Sequence, residues 1–202
     1  MAVWTSEVAV CNGALGLLGA ERIVSFQDGT TQAILCDLHY SQARDATMRA
    51  YPWNFAIARA NLGAPLASSD ARAPLFDWSY AFVLPRTAQN YCLRVLTLED
   101  NDDYKIEGSV LLCNSSTARI RYIKRIEAVS EWDDLFKGAV AAHLAMLLAM
   151  PITKSASMMQ AMASLYQSRL QEAYAVDTQE GTPDEIDSND IIDARWSAGV
   201  IY

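Results

Sequence analysis

Residues 50–60 read AYPWNFAIARA, and the course of the chain through them decides the fold. The residues before them speak the language of a helix. After the turn SFQDGTT (25–31), Thr30 or Thr31 caps a helix to about Tyr51, with Ala33, Cys36, Tyr40, Ala43, Thr47 and Ala50 on one side. Asp45 and Arg49 stand on another side in the favourable acid-first i,i+4 order. Pro52 has no amide hydrogen and pushes Tyr51 away from helical angles. The pattern predicts a kink, with Pro52 starting a further short helix and Trp53 and Phe55 falling into the core.

Upstream, TSEVAVCNGALGLLG (5–19) predicts a first helix, capped by Thr5 or Ser6, with Val8, Cys11, Leu15 and Leu18 at helical spacing. Gly13, Gly16 and Gly19 fall three apart, which is not the dinucleotide-binding spacing. A close helix contact through the first two, with Gly19 as the stop, is the expectation.

Downstream, the pattern changes from about Leu75. FDWSYAFVLP, YCLRVLTLE, YKIEG, SVLLCN and RIRYIKRI are short, rich in aromatic and β-branched residues, and separated by Pro, Asn, Asp and Gly. They predict a small antiparallel sheet, with a hairpin turning at Gly108. In the last segment Arg119, Arg121 and Arg125 face one way and Ile120, Tyr122 and Ile126 the other, a half-buried strand with a basic outer face. Helical patterning returns at SEWDD. Leu135–Met150 is apolar almost all round and so should be covered on several sides, with Pro151 ending it. A last helix, capped by Thr153 or Ser155, runs to about Val176 with Met159, Met162, Tyr166, Leu170 and Ala173 inward.

The fold class these patterns predict is mainly α (α+β): a helical bundle with a small inserted antiparallel β-sheet and an extended C-terminal tail. Residues 1–177 form the helical domain, with the β insertion at about 75–127, and residues 178–202 form an acidic linker and apolar tail.

Composition sets the limits. The chain has 202 residues, 51% of them hydrophobic, and a formal net charge of −8. Residues 178–202 hold six carboxylates against Arg195 alone, a net of −5, which leaves −3 on the preceding 177 residues. Overall negative charge disfavours non-specific adhesion to nucleic acid or anionic membrane. Cys11, Cys36, Cys92 and Cys113 show no CxxC spacing and read as reduced, buried thiols of a protein made in a cytoplasm. The N-terminus MAVWTSEV lacks the pattern of a secretory signal, and the apolar run 138–152 is shorter than the ~20 residues of a membrane span.

Signals of catalysis are missing from the sequence. His39 and His143 belong to no HExxH and have no cysteine at ligand spacing. EGSVL lacks the second glycine of a nucleophile elbow. EDNDD (99–103) lacks the glycine and the closing glutamate of a calcium loop, and reads as a solvated hairpin loop. Asp133 and Asp134 read as acids at a helix start.

The ending IIDARWSAGVIY is different. With period two, Ile192, Ala194, Trp196, Ala198, Val200 and Tyr202 share one side; a helical reading through Ile192, Trp196 and Val200 must include Gly199. The alternation suits a strand added to another protein's sheet or laid in its groove, anchored by Trp196 and Tyr202. The alternative is that the tail folds back on its own core. An acidic tether of 25 residues reaches at most about 80 Å.

In order along the chain, CNGALGLLG, ERIVSFQDGTTQA, YSQARDATMRAYPWNFAIARANLG, WSYAFVLPRTAQNYCLRVL, YKIEGSVLLCN, RIRYIKRI and WDDLFKGAVAAHLA resemble the tail tubular protein A family. These are the head-to-tail adaptor (connector) proteins of short-tailed phages and related prophages. The resemblance runs from about residue 8 to 175, and its most specific pieces are RAYPWNFA and the pair WSYAFVLP…CLRVL.

The resemblance implies a non-catalytic structural protein without a cofactor or metal. It would sit at the head–tail junction of the virion, in a ring, typically dodecameric. Its partners would be the phage portal protein, a tail nozzle of the tail tubular protein B type and copies of itself. Double-stranded DNA would pass through without specific binding during ejection, and no membrane is involved. From the tail's own pattern, Ile191, Ile192, Arg195, Trp196, Val200, Ile201 and Tyr202 are the expected portal-binding residues. Arg119, Arg121 and Arg125 form a further interface face. Two other readings stay open: a nucleic-acid-binding module using Arg119, Arg121, Lys124 and Arg125, and an enzyme whose site is assembled from residues far apart in sequence.

Overall fold

A computed structural model describes residues 4–180. In chain order the elements are α1 (Glu7–Leu17), α2 (Thr31–Ala50), β1 (Ile57–Asn61), β2 (Tyr80–Val83), β3 (Arg86–Thr87), β4 (Asn90–Leu98), β5 (Tyr104–Glu107), β6 (Val110–Cys113), β7 (Arg119–Lys124), α3 (Asp134–Thr153) and α4 (Ala156–Gln179). Among the described residues helix makes up 47% and strand 19%, the strands forming a curled four-stranded antiparallel sheet and a second, three-stranded one. The expected helical bundle is therefore wrong, and the fold is mixed α+β. A bundle carrying one small sheet underestimates the strands, which contribute two layers and a core of their own.

The error begins at AYPWNFAIARA. The helix does stop at Ala50, and Tyr51 is extended at φ −140°, ψ 151°. No further α-helix follows Pro52. Asn54–Ala56 make a single 3-10 turn, and the chain enters β1. Trp53 is buried, and its indole N–H donates to the Thr47 carbonyl at 3.1 Å, satisfying one of the acceptors that a helix end leaves open. Its ring meets Phe136 edge-on, with centroids 5.0 Å apart. β1 obtains its ladder from β7, some sixty residues later, with Ile57 opposite Ile123 and Asn61 opposite Arg119. Pairing that distant leaves no local signature, so context overrides propensity here.

The four-stranded sheet has the order β1-β7-β4-β3, and the three-stranded one β2-β6-β5. β7 presents Ile123 to the helical core and Ile120 and Tyr122 to the core between the sheets, where Phe82, Val95 and Leu111 join them. The outer side of the smaller sheet carries Ala81, Val110 and Leu112, covered by Leu66 and Trp78 from the long segment 62–79.

α3 lies at the centre of the helical body, packed by α1, α2 and α4. It is capped by Asp133, whose carboxylate accepts from the amides of Leu135 and Phe136. Pro151 sits inside its last turn, and the helix stops only at Lys154, which takes left-handed angles (φ 53°). α3 is thus twenty residues long, longer than the apolar run suggested. By length and composition it could cross a membrane, yet 56% of its most apolar window is buried in the chain's own core. The covering expected for this helix comes from within the chain.

Ser6, Thr30 and Ser155 cap α1, α2 and α4. Gly13 lies against the Trp4 ring, which an added Cβ would overlap at 2.5 Å, while Gly16 has open space around it. The close contact is therefore with an aromatic side chain, not a second helix. Gly19 does terminate α1, at φ +66°. Along α4, Met162 and Ala173 are buried as expected, but Met159 is exposed and Met158 and Leu165 pack inward instead. The C-terminal end of α4 is tied to the helix–sheet junction. The Asp177 carboxylate accepts from the Asn54 amide at 3.0 Å, Asn54 Nδ2 donates to the Asp177 carbonyl at 2.7 Å, and Tyr51 and Thr178 join their hydroxyls.

Candidate functional site

β1, β7 and β4 build a cleft of about 700 Å³, lined on its polar side by Arg59, Asn61, Thr97, Glu99, Asn101, Arg119 and Arg121. Antiparallel register sets the geometry. Arg59 lies directly opposite Arg121, Arg121 opposite Thr97, and Asn61 opposite Arg119. Like charges facing each other across a strand pair repel, which favours an anion between them. Arg119, 64% exposed, pairs with Glu99 at 2.5 Å. The Arg59 guanidinium makes no hydrogen bond or ion pair among the described residues. Guanidinium groups present a planar fork suited to carboxylate or phosphate. At the lip, Asp100, Asp102 and Asp103 are exposed.

Of the basic face read from RIRYIKRI, the structure keeps Arg119 and Arg121 together and places Arg125 elsewhere. β7 ends at Lys124. Arg125 then turns toward α2, where it meets Asp45 Oδ2 at 2.5 Å, and it stacks over the Tyr91 ring at 3.9 Å. Asp45 also accepts from Arg44 Nε at 2.7 Å. Arg125 is a strut between sheet and helix. Lys124 is half-buried opposite Cys92. The residue that sequence reasoning missed is Arg59. Its signal was present in IARAN, where Ile57, Arg59 and Asn61 alternate with Ala58 and Ala60, but a helical reading scatters that pattern.

The other candidates have structural employment. His143 Nδ1 lies 2.9 Å from the Thr47 hydroxyl, and the ring stacks on Tyr166 at 4.4 Å. Burial holds its pKa below the ordinary imidazole value, against a smaller opposing pull from the Ala43 carbonyl. His39 is half-buried on α2. Glu99 of the acidic run is held by Arg119, and Asp133 and Asp134 stand at the start of α3, the second pairing with Lys137 at 2.6 Å. All four cysteines are free and buried. Donation of its hydrogen to the Cys36 sulfur, together with burial, pushes the Cys11 thiol far up, and burial raises Cys92 to about 11. Burial also raises the Asp177 carboxyl, countered in part by the Asn54 amide. Among the described residues, no group of three histidine, cysteine or acidic side chains is placed to hold a metal.

Two apolar surfaces complete the inventory. Leu75 and Phe76, on the segment 62–79, are 94% and 76% exposed. They border a groove of about 700 Å³ between that segment and the β5–β6 hairpin. On α2, Ile34 and Leu38 sit one turn apart, both exposed, close in sequence to exposed Val24. The expected portal-binding residues Ile191, Ile192, Arg195, Trp196, Val200, Ile201 and Tyr202 lie outside the described residues. No protein-family model matches this chain, and no curated protein matches it.

Proposed function

We propose that this protein is a structural head-to-tail adaptor of a phage virion, assembling as a ring between portal and tail nozzle and continuing the DNA channel. On this reading it is not an enzyme, and its work is done by surfaces. The structural observation that carries the reading is the near-complete exposure of Leu75 and Phe76 on an eighteen-residue segment without regular structure. Long irregular segments in compact chains are commonly functional, and large side chains held in water on such a segment mark a surface awaiting another polypeptide. The phage assignment itself rests on the ordered resemblance from about residue 8 to 175. The apolar C-terminal residues Trp196 and Tyr202 supply the portal anchor on this reading.

Electron microscopy of the chain mixed with its portal tests the proposal. A ring stacked on the portal ring supports it, and portal particles without added density overturn it. Removing residues 187–202 is expected to abolish portal binding while helical content and melting temperature stay unchanged. Full-strength binding by the truncated chain would remove the anchor role.

The Arg59–Arg119–Arg121 cleft favours a second reading, binding of nucleic acid. That reading expects duplex affinity falling steeply between about 50 and 200 mM salt. The exposed carboxylates at Asp100, Asp102 and Asp103 weigh against it, because a duplex long enough to use the cleft would also run over the lip.

A further inference from the structure

β5 is the last strand of the three-stranded sheet, whose order is β2-β6-β5. One of its edges pairs with β6, and among the described residues no strand pairs with the other. The hairpin register says which backbone groups that open edge presents. Glu107 lies opposite Val110 across the two-residue turn of Gly108 and Ser109, so this closing pair exchanges both ladder bonds. By alternation Lys105 and Leu112 form the next bonded pair, and the amides and carbonyls of Tyr104 and Ile106 point away from β6. The Ile106 side chain is 41% exposed, although Leu111 opposite it is fully buried. Lys105 and Glu107 stand on the other face, in water, and pair with each other at 3.2 Å.

We propose that β5 of a second copy of this chain pairs antiparallel with β5, centred on Ile106, and joins the two three-stranded sheets into one of six strands. Addition of a strand to an open sheet edge is a general mode of recognition. A two-fold axis at Ile106 lets that residue and the second copy's Ile106 exchange two backbone bonds, using the groups that the open edge offers. The same register sets Lys105 opposite the second copy's Glu107, and Glu107 opposite its Lys105. These are non-hydrogen-bonded positions, where facing side chains approach most closely. Opposite charges attract there, and the two-fold axis makes the contact twice. An edge guarded against its own kind carries charges of one sign or a proline. The sequence Tyr-Lys-Ile-Glu has neither, and reversed against itself it is charge-complementary. The two exposed Ile106 side chains meet at the axis and leave water. Lys105 and Glu107 also line the groove that Leu75 and Phe76 border, so the added strand continues the floor of that groove. The inference does not rest on the adaptor reading, and its test needs no portal.

Sedimentation velocity of the full chain over a concentration series tests it. The expected result is a monomer in equilibrium with a dimer. Lys105→Glu sets carboxylates against each other at both symmetric positions and is expected to weaken the dimer about tenfold. Glu107→Lys does the same with ammonium groups. The exchange Lys105→Glu/Glu107→Lys restores opposite charges in the same register, and dimerisation is expected to return to near its original strength. Ile106→Pro removes an outward amide without costing a bond to β6. It is expected to abolish the dimer while helical content stays unchanged. Hydrogen exchange gives a second measure, since the Ile106 amide should slow as concentration rises. A chain that stays monomeric throughout the series overturns the inference. So does a dimer that the single charge variants and Ile106→Pro leave intact, because another surface would then hold it. Failure of the folded double exchange to recover dimerisation overturns the register.

Discussion

The helical body and the sheets of this protein finish their surfaces in different ways. α3 is enclosed by α1, α2 and α4, with Val140, Ala141, Leu144, Ala145 and Leu148 all fully buried. Small alanines let the helices approach, and Thr47 pairs with His143 while the Trp53 indole donates to the Thr47 carbonyl. The sheets bury a separate core around Phe82, Leu111 and Tyr122 but remain open outside it. That side carries the arginine cleft, Leu75 and Phe76, and the edge strand β5 with Ile106 half in water. The larger core lies with the helices, while the two clefts and the most exposed apolar pair, Leu75 and Phe76, lie with the sheets.

The largest effects are expected at the two cores. Trp53→Ala removes a fully buried indole from the junction and leaves the Thr47 carbonyl without its donor; a loss of about 3–5 kcal/mol is expected in chemical denaturation. Phe82→Ala empties the core between the sheets at a similar cost of about 3–5 kcal/mol. Hydrogen exchange separates the two. Phe82→Ala is expected to speed exchange in β2 and β6 while α3 stays protected, and Trp53→Ala to speed both. Equal loosening of α3 by both variants would show one cooperative unit.

Arg125 joins the two halves. Its ion pair with Asp45 is only about a quarter exposed, and the guanidinium also covers the Tyr91 ring. Arg125→Ala is expected to cost about 1–2 kcal/mol after allowing for screening. The loss should shrink when Asp45→Asn is already present, a coupling that a double-mutant cycle reads directly.

Acid probes the closed half more gently. His143 has a folded pKa below its ordinary value of 6.5, because burial penalises the imidazolium. Above that value both folded and unfolded chains hold a neutral ring, and the residue adds no pH dependence. As pH falls below about 6.5, the unfolded chain takes the proton first and stability declines. Asp177 acts in the opposite sense. Its folded pKa is raised, so the folded chain gains the proton first, and acidification relieves a cost present at neutral pH. His143→Gln should flatten the decline just below pH 6.5, whatever its effect on absolute stability. An unchanged slope in denaturation series would place the titration elsewhere.

The smallest stability effect belongs to the open half. Leu75→Ser/Phe76→Ser removes two exposed side chains, and folding stability should change by no more than about 0.5 kcal/mol. If the protein is the proposed adaptor, ring assembly on the portal should weaken nonetheless. Full assembly with an unchanged melting temperature would show that this patch serves neither fold nor docking.

Features governed by near neighbours along the chain were legible before folding was considered. Ser6, Thr30, Asp133 and Ser155 lie within a residue or two of the helices they cap, so helix starts were legible. So were the hairpin at Gly108 and the burial of Trp53, each governed by a few adjacent side chains. Pairing across distance, by contrast, emerged only in the folded chain. β1 became a strand because β7 offers it a ladder, and that pairing put Arg59 opposite Arg121. Arg125 left the basic face because Asp45 of α2 and Tyr91 of β4 stand within reach. Two sheets formed because β4 pairs with β7 while β6 lies between β2 and β5. Alternation along a strand tells which residues share a face. It cannot tell which other strand lies beside them, because that depends on backbone hydrogen bonds common to every residue and on cores that exist only after the chain has come together.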